Sequence, residues 1–283
     1  MTQEATQLDA VTLTRLLDGV PMLPDTAFTV MDMMQRPDTE PKVLAGVVAQ
    51  DPGLTLQTLH LCNSPFYSLP VEVASIEHAV RLLGLETVCG IVMAAYVHGL
   101  MTRYSGEGAG LWLKGARRHV MRVADCAQYL TMHTSLGIGK SVAWTLGLLH
   151  DIGKLVLAQV NARTARAVEE HIFAQSVSLV DAEWEVLGTD HAEAGFLLAQ
   201  RWSLPDMIAQ AVRWHHRPEK SEETAALLLY LADTLAQVAE GRKSWKALLE
   251  DTFTFNLVQD RLGLDPKNFC ALAQTWLQSP KSR

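Results

Sequence analysis

Gly147-Leu148-Leu149-His150-Asp151-Ile152-Gly153-Lys154 is the stretch on which the reading of this chain turns. A histidine and an aspartate stand side by side within an otherwise apolar helical pattern over residues 142–160. An ionised carboxylate in such a setting is costly unless it is paired or metal-bound. Successive helical residues project about 100° apart, so both side chains reach one ion only at a helix end or kink. Gly153 makes such a departure plausible. Imidazole together with carboxylate suits zinc, iron or manganese, whereas calcium prefers all-oxygen shells. The plainer alternative is a core hydrogen bond to a helix end or an arginine, because a lone His-Asp pair is common by chance.

Outward from this stretch, other histidines and aspartates fall on the same kind of segment. His119 lies on a helix expected over residues 111–132, and Asp233, in Leu231-Ala232-Asp233, on one over 222–239; both stretches are apolar. Gly188-Thr189-Asp190-His191 starts a helix through Trp202, and His215-His216 follows Trp214 at the end of the next. With His150 and Asp151 these make a seven-residue set spread over four or five helices, the way helical bundles build two-metal sites. Lys154, one turn past His150, is either a point charge for a phosphate oxygen or a solvated helix-end cation. Trp202 and Trp214 offer stacking faces, although helix packing is the commoner use of such aromatics. His60, His78, His98, His133 and His171 have no patterned partner and read as packed or surface residues.

The remaining chain repeats the helical spacing almost everywhere, without convincing strand alternation. Helices are expected over 8–17, 25–34, 41–49, 52–62, 75–83, 85–101, 162–175 and 178–187, with two more in 244–278. Asp51-Pro52 is a start signal, an N-cap carboxylate followed by proline at the first helical position. Asn63-Ser64 reads as a helix stop rather than a contact surface. The glycine-rich stretch at 103–110 is the best boundary. The fold class is therefore all-α: an N-terminal helical subdomain (1–105), a second helical subdomain carrying the His/Asp set (106–240), and C-terminal helices packed on it (241–283).

Composition narrows the function classes. The 283 residues are 48% apolar and 19% charged, with 31 acids against 24 bases and a net charge of −7. No long Lys/Arg run exists; Arg117-Arg118 and Lys281–Arg283 are the only basic clusters, so nucleic-acid binding is not expected. The first ten residues lack the features of a secretory signal. The most apolar stretch, 91–100, is far too short for a membrane span. Cys62, Cys89, Cys126 and Cys270 lie far apart without a C-x-x-C pair, which points to buried free thiols and a cytoplasmic location.

With these residues in place, the order His119…His150-Asp151…Asp233 resembles the H…HD…D pattern of the HD superfamily of metal-dependent phosphohydrolases. The surroundings are more specific. Leu23-Pro24, Gln50-Asp51-Pro52-Gly53-Leu54, Leu61-Cys62-Asn63-Ser64-Pro65-Phe66-Tyr67 and Ala79-Val80-Arg81-Leu82-Leu83-Gly84 are similar to the N-terminal half of the HDOD domain, the HD-related output domain of bacterial signalling. The 147–154 stretch, Asp190-His191-Ala192-Glu193-Ala194-Gly195, Arg201-Trp202-Ser203-Leu204-Pro205 and His215-His216-Arg217-Pro218 are similar to its C-terminal half. The resemblance spans residues 16–239. It implies an N-terminal helical subdomain packed on an HD-like one, and a bacterial signal-transduction role through protein partners. Many HDOD modules have lost HD ligands and are presumed non-catalytic; this chain keeps residues at all four core positions. His191 and the His215-His216 pair are also similar to the HD-GYP phosphodiesterases, but Arg217-Pro218-Glu219 follows in place of a Gly-Tyr-Pro signature.

Two functions follow as expectations. The favoured one is a stand-alone HDOD output module acting through a signalling partner, with a retained metal site. The alternative is a phosphohydrolase acting on a nucleotide or cyclic dinucleotide. In it, His119, His150, Asp151 and Asp233 hold one divalent transition metal (iron, manganese or zinc), and His191, His215 and His216 hold a second with Asp151 bridging. Asp151 and Lys154 are then the catalytic candidates.

Overall fold

The computed structural model describes residues 7–279 except 35, 37, 64–68 and 104–108, together with residue 282. Among these, secondary structure is helical throughout and no strand forms. The first group of helices is α1 (Ala10–Gly19), α2 (Asp25–Met34), α3 (Pro41–Val48), α4 (Pro52–Cys62), α5 (Ile76–Leu83) and α6 (Leu85–Arg103). The second runs α7 (Gly110–Leu113), α8 (Ala116–His133), α9 (Lys140–Leu149), α10 (Gly153–Leu157), α11 (Ala162–Gln175), α12 (Leu179–Leu187), α13 (His191–Arg201), α14 (Asp206–Trp214) and α15 (Thr224–Ala239). Three more close the chain: α16 (Trp245–Leu249), α17 (Thr252–Leu262) and α18 (Pro266–Leu277).

Local signals set most of these boundaries. Asp51 caps α4 by accepting from the Leu54 amide at 3.0 Å, and Asp190 caps α13 by accepting from the Glu193 amide at 2.8 Å. Three departures from the sequence reading matter. The helix expected over 111–132 is divided at Gly115, whose φ of 79° is a left-handed conformation that glycine adopts freely. The helix expected over 142–160 is interrupted at 150–152, where i→i+3 bonds from the Ile152 and Lys154 amides replace the α-helical pattern. The tail forms three helices where two were expected. The basic tail cluster lies outside the described residues apart from Ser282, and the glycine-rich boundary is only partly described.

One apolar core runs through both groups, from Leu16 to Trp276. α4, α2, α5 and α9 pack on α6, while α8, α9 and α15 form the central layer of the second group, with α13 and α14 beside it. Helices approach closely where side chains vanish: a Cβ on Gly147 would stand 2.4 Å from the Ala124 Cα, so α9 lies directly on α8. Trp202 is fully buried, and its indole N–H donates to the Pro21 carbonyl at 3.0 Å, fastening the end of α13 to the turn before α2.

Asn63 does more than stop a helix. Its amide donates to the Val73 carbonyl at 2.9 Å and accepts from the Val73 amide at 2.7 Å. This two-way bond pins the chain beyond α4 to the segment entering α5. Asn63→Ala removes both bonds and is expected to cost about 1–2 kcal/mol, read as a lower urea midpoint at unchanged slope.

Candidate metal centre

The interruption after α9 places the His-Asp pair. Leu149 ends the helix, His150 and Asp151 occupy the tight turn, and α10 starts at Gly153. Both side chains are buried, at 0% and 1% exposure. The two oxygens of Asp151 face different neighbours. Oδ2 lies 3.3 Å from His150 Nε2 and 3.8 Å from His119 Nε2. Oδ1 lies 3.3 Å from His191 Nε2 and 4.0 Å from His215 Nε2. Asp233 Oδ1 completes the first group at 3.0 Å from His119 Nε2, and His216 Nε2 joins the second at 2.8 Å from His191 Nε2. All seven histidines and aspartates singled out in the sequence thus meet in one place.

The outer ring nitrogens fix how the imidazoles present themselves. His150 Nδ1 donates to the Gly147 carbonyl at 2.7 Å, and His215 Nδ1 donates to the Val212 carbonyl at 2.6 Å. A carbonyl only accepts, so each Nδ1 carries a proton and each ring turns its Nε2 inward. His191 Nδ1 donates to Glu183 Oε2 at 2.6 Å, and His119 Nδ1 lies 3.2 Å from Glu240 Oε2. These outer partners orient the rings as second-layer carboxylates and carbonyls do around metal ions.

The charges are mutually adjusted. Burial alone would raise the Asp151 carboxyl, but His150, Lys154 and His191 hold it well below the usual carboxylate range. Burial likewise opposes ionisation of Asp233, and His119 with His216 holds it well below that range. Burial and the nearby His150 and His191 push His215 down to about 3. His216 is driven well below the usual imidazole range by burial and by His215 and His191. His119 goes the other way: burial disfavours its cation, but Asp233 and Glu240 carry it above the ordinary value. A His215 that refuses the proton its unfolded form accepts contributes stability above about pH 6.5. That contribution is lost as pH falls toward 3.

Lys154 is not a solvated helix-end cation. It is 8% exposed, and its Nζ sits 2.5 Å from Asp151 Oδ2. It lines a cavity of about 580 Å³ that opens from the centre and is also bordered by Arg217, Tyr230, Arg242 and Lys243. Trp202 packs in the core, away from this wall. Trp214 bonds Gln210 at 3.2 Å and lies beneath the Arg213 guanidinium, so it too is occupied by packing.

The sequence reading missed the supporting acids. Glu183 is fully buried and accepts from the Trp112 indole at 2.6 Å as well as from His191. Gln237 donates to Asp233 Oδ2 at 2.9 Å, and Glu240 holds both His119 and Arg122. A signal for the last two was present. Asp233, Gln237 and Glu240 stand at i, i+4 and i+7, a polar stripe at the end of an apolar helix.

Comparison with known proteins places the fold. A protein from Geobacter sulfurreducens, an HDOD domain protein of unknown function, superposes with a TM-score of 0.72 at 24% identity, covering 95% of this chain and 99% of that one. An uncharacterized protein of Treponema pallidum is 22% identical over 261 residues, 88% of this chain and 48% of its own length. Ribonuclease Y of Thermus thermophilus is 30% identical over 126 residues, 44% of this chain but only 17% of that enzyme. The chain therefore spans about half the length of the first relative and far less of the second. The HDOD domain family matches residues 20–218, which include all of the centre except Asp233, and the chain belongs to the HDOD domain family.

Proposed function

We propose that this is a bacterial signalling protein whose second helical subdomain, residues 106–240, holds two divalent transition-metal ions and hydrolyses a phosphoester. The observation that carries this reading is the division of Asp151: its two buried oxygens face separate groups of imidazoles. Three sets of ligand atoms each lie within 4.8 Å of one another: those of His119, His150 and Asp233, those of His191, His215 and His216, and those of His150, Asp151 and His215, which join the two. Iron, manganese or zinc fits these donors.

The fit rests on polar atoms that the protein alone leaves unserved. His150 Nε2 and His215 Nε2 are buried without a hydrogen-bond partner. Asp233 Oδ1 is likewise buried without a hydrogen-bond partner, 3.0 Å from His119 Nε2. Such orphans are rare in folded proteins and need an explanation. In this reading His119, His150, Asp151 and Asp233 hold one ion; His191, His215 and His216 hold the other, with Asp151 shared. Bound metal would supply a water acidic enough to ionise near neutrality and would polarise a phosphoryl oxygen. The residues supply the rest. Lys154 puts a cation at the mouth of the centre, within reach of a phosphate oxygen in the cavity. Arg217, 3.8 Å from Asp190 Oδ2, adds a second charge on the wall. Glu183 and Glu240 hold His191 and His119 in orientation.

The test is metal analysis followed by turnover. Reconstituted protein is expected to retain about two ions per chain and to cleave an activated aryl phosphodiester, with chelation abolishing the activity. Cyclic dinucleotides are expected to be poor substrates, since Arg217-Pro218-Glu219 replaces the Gly-Tyr-Pro signature. Two bound ions without any turnover would leave the other reading, a module that acts through a protein partner. Protein that stays empty after reconstitution would remove the metal centre from both.

A further inference from the structure

Basic side chains that are scattered in the sequence meet in a second cavity, of about 920 Å³, beside the metal centre. Lys114, Arg117 and Arg118 come from the entry and first turn of α8, Arg122 from its second turn, and Arg242 from just beyond α15. The two cavities adjoin, since Arg242 lines both. Glu240 belongs to the second cavity while accepting from His119, which lines the first.

Not all of this charge is free. Glu240 is paired with Arg122 at 3.1 Å and with Arg242, so it offsets one of those two cations. Lys114, Arg117 and Arg118 are exposed and have no carboxylate within ion-pair distance among the described residues. Their position is unfavourable for the protein alone. Arg117 and Arg118 occupy the first turn of an 18-residue helix that has no acid in that turn and no side-chain cap. Helix N-termini favour anions there and disfavour cations. In a chain of net charge −7, three unpaired cations at such a place, opening onto a cavity, call for an anionic ligand.

We propose that this groove binds the phosphodiester backbone of a single-stranded nucleic acid and leads it to the His/Asp centre. The proposal names the substrate class for the phosphoester hydrolysis inferred above and rests on that reading. Cations continue from Lys114 and Arg118, past Arg242, to Lys154 and Arg217 on the far side of the centre. A mononucleotide or a cyclic dinucleotide is accommodated by the smaller cavity alone and leaves Lys114, Arg117 and Arg118 without a role. A strand that extends beyond the bond being cleaved uses both. A duplex is too wide to bring a backbone phosphate to Asp151, which is 1% exposed. A flat lipid surface does not reach Arg122 on the floor of a concave groove. The apolar wall of the groove is Leu61, Met121 and Ala239, without an aromatic face for a base to stack on. Recognition is then of backbone rather than sequence.

The experiment is fluorescence anisotropy with labelled single strands of about 12 nucleotides, RNA and DNA in separate arms, on the chelated full chain. Three phosphate contacts predict a slope of log K against log salt of about −2. Arg117→Ser/Arg118→Ser is expected to weaken binding by about tenfold or more at low salt and to reduce the slope to about −0.7, with metal uptake unchanged. No binding, binding that the double variant leaves intact, displacement of the strand by mononucleotide at equal phosphate concentration, or equal binding to vesicles of anionic lipid would each overturn the proposal. Because binding is read without metal, it stands or falls separately from hydrolysis. A chain that binds the strand and cleaves nothing refutes the catalytic reading alone.

Discussion

Asp151→Ala is expected to empty both halves of the centre at once. Reconstituted variant should carry well under one ion per chain, and phosphodiester hydrolysis should fall by at least about 10³-fold. The reason is geometric. Each neighbouring group relies on a different oxygen of this one carboxylate, with Oδ2 beside His150 and Oδ1 beside His191, so its removal touches both; Asp233 is a looser second link, with Oδ1 3.0 Å from His119 Nε2 and Oδ2 3.9 Å from His216 Nδ1. His119→Ala and His215→Ala provide the contrast. The first removes a ring that lies beside Oδ2 and Asp233, the second a ring that lies beside Oδ1, and each should leave about one ion in place. Stability should move as well. Without Asp151, the buried Lys154 and the surrounding imidazoles lose their common counter-charge. Breaking one partner of a buried ionic set costs about 3–5 kcal/mol. Asp151→Asn keeps the volume and isolates the charge: it should lose metal as the alanine variant does while creating no cavity. If Asp151→Ala binds both ions normally, the shared-carboxylate arrangement is wrong.

Which parts of this centre could be read in advance follows from where the information lies. Helix content and the His/Asp set were legible because an ionisable residue on an apolar face stands out in one dimension. His119 and Asp233 are such residues. Asp51 and Asp190 announced their helix starts because capping is decided within three residues. The break at Gly115 was not read at all, and the one at 150–152 only through Gly153 and the need for two adjacent side chains to share one space, because periodicity averages over turns, and a single left-handed glycine or one tight turn leaves it almost unchanged. Gly115 and the 150–152 turn are those exceptions, and the second is what aims His150 and Asp151 into one space. Glu183 was invisible because nothing local marks it; its partners are His191, eight residues away, and Trp112, which only the fold brings near. The basic groove was hidden for the same reason. Arg242 is distant in sequence from Arg117 and Arg118, and a search for basic runs registers only the adjacent pair.

Gly153→Ala is expected to destabilise the protein by about 3 kcal/mol and to loosen the second half of the centre, although it changes no ligand. A Cβ at this position would lie 1.9 Å from the His191 carbonyl oxygen, 2.4 Å from the Gly195 amide nitrogen and 2.9 Å from the Gly195 Cα. All three are backbone atoms, so no flexible side chain can yield, and α10 must move away from α13. Those helices carry the two sides of the Asp151 Oδ1 to His191 Nε2 contact at 3.3 Å, one following Asp151 and the other starting at His191. Separation therefore acts first on the ion that His191, His215 and His216 would hold. The sign distinguishes this mechanism from ordinary helix propensity, because alanine in place of an unconstrained helical glycine stabilises by up to about 1 kcal/mol. Gly46, inside α3 with nothing within 4 Å of where a Cβ would stand, supplies the control, and Gly46→Ala should raise the urea midpoint. A Gly153→Ala protein as stable as the parent, with two ions bound, would mean that α10 and α13 have room to spare. The close approach would then not be what sets the distance between the halves of the centre.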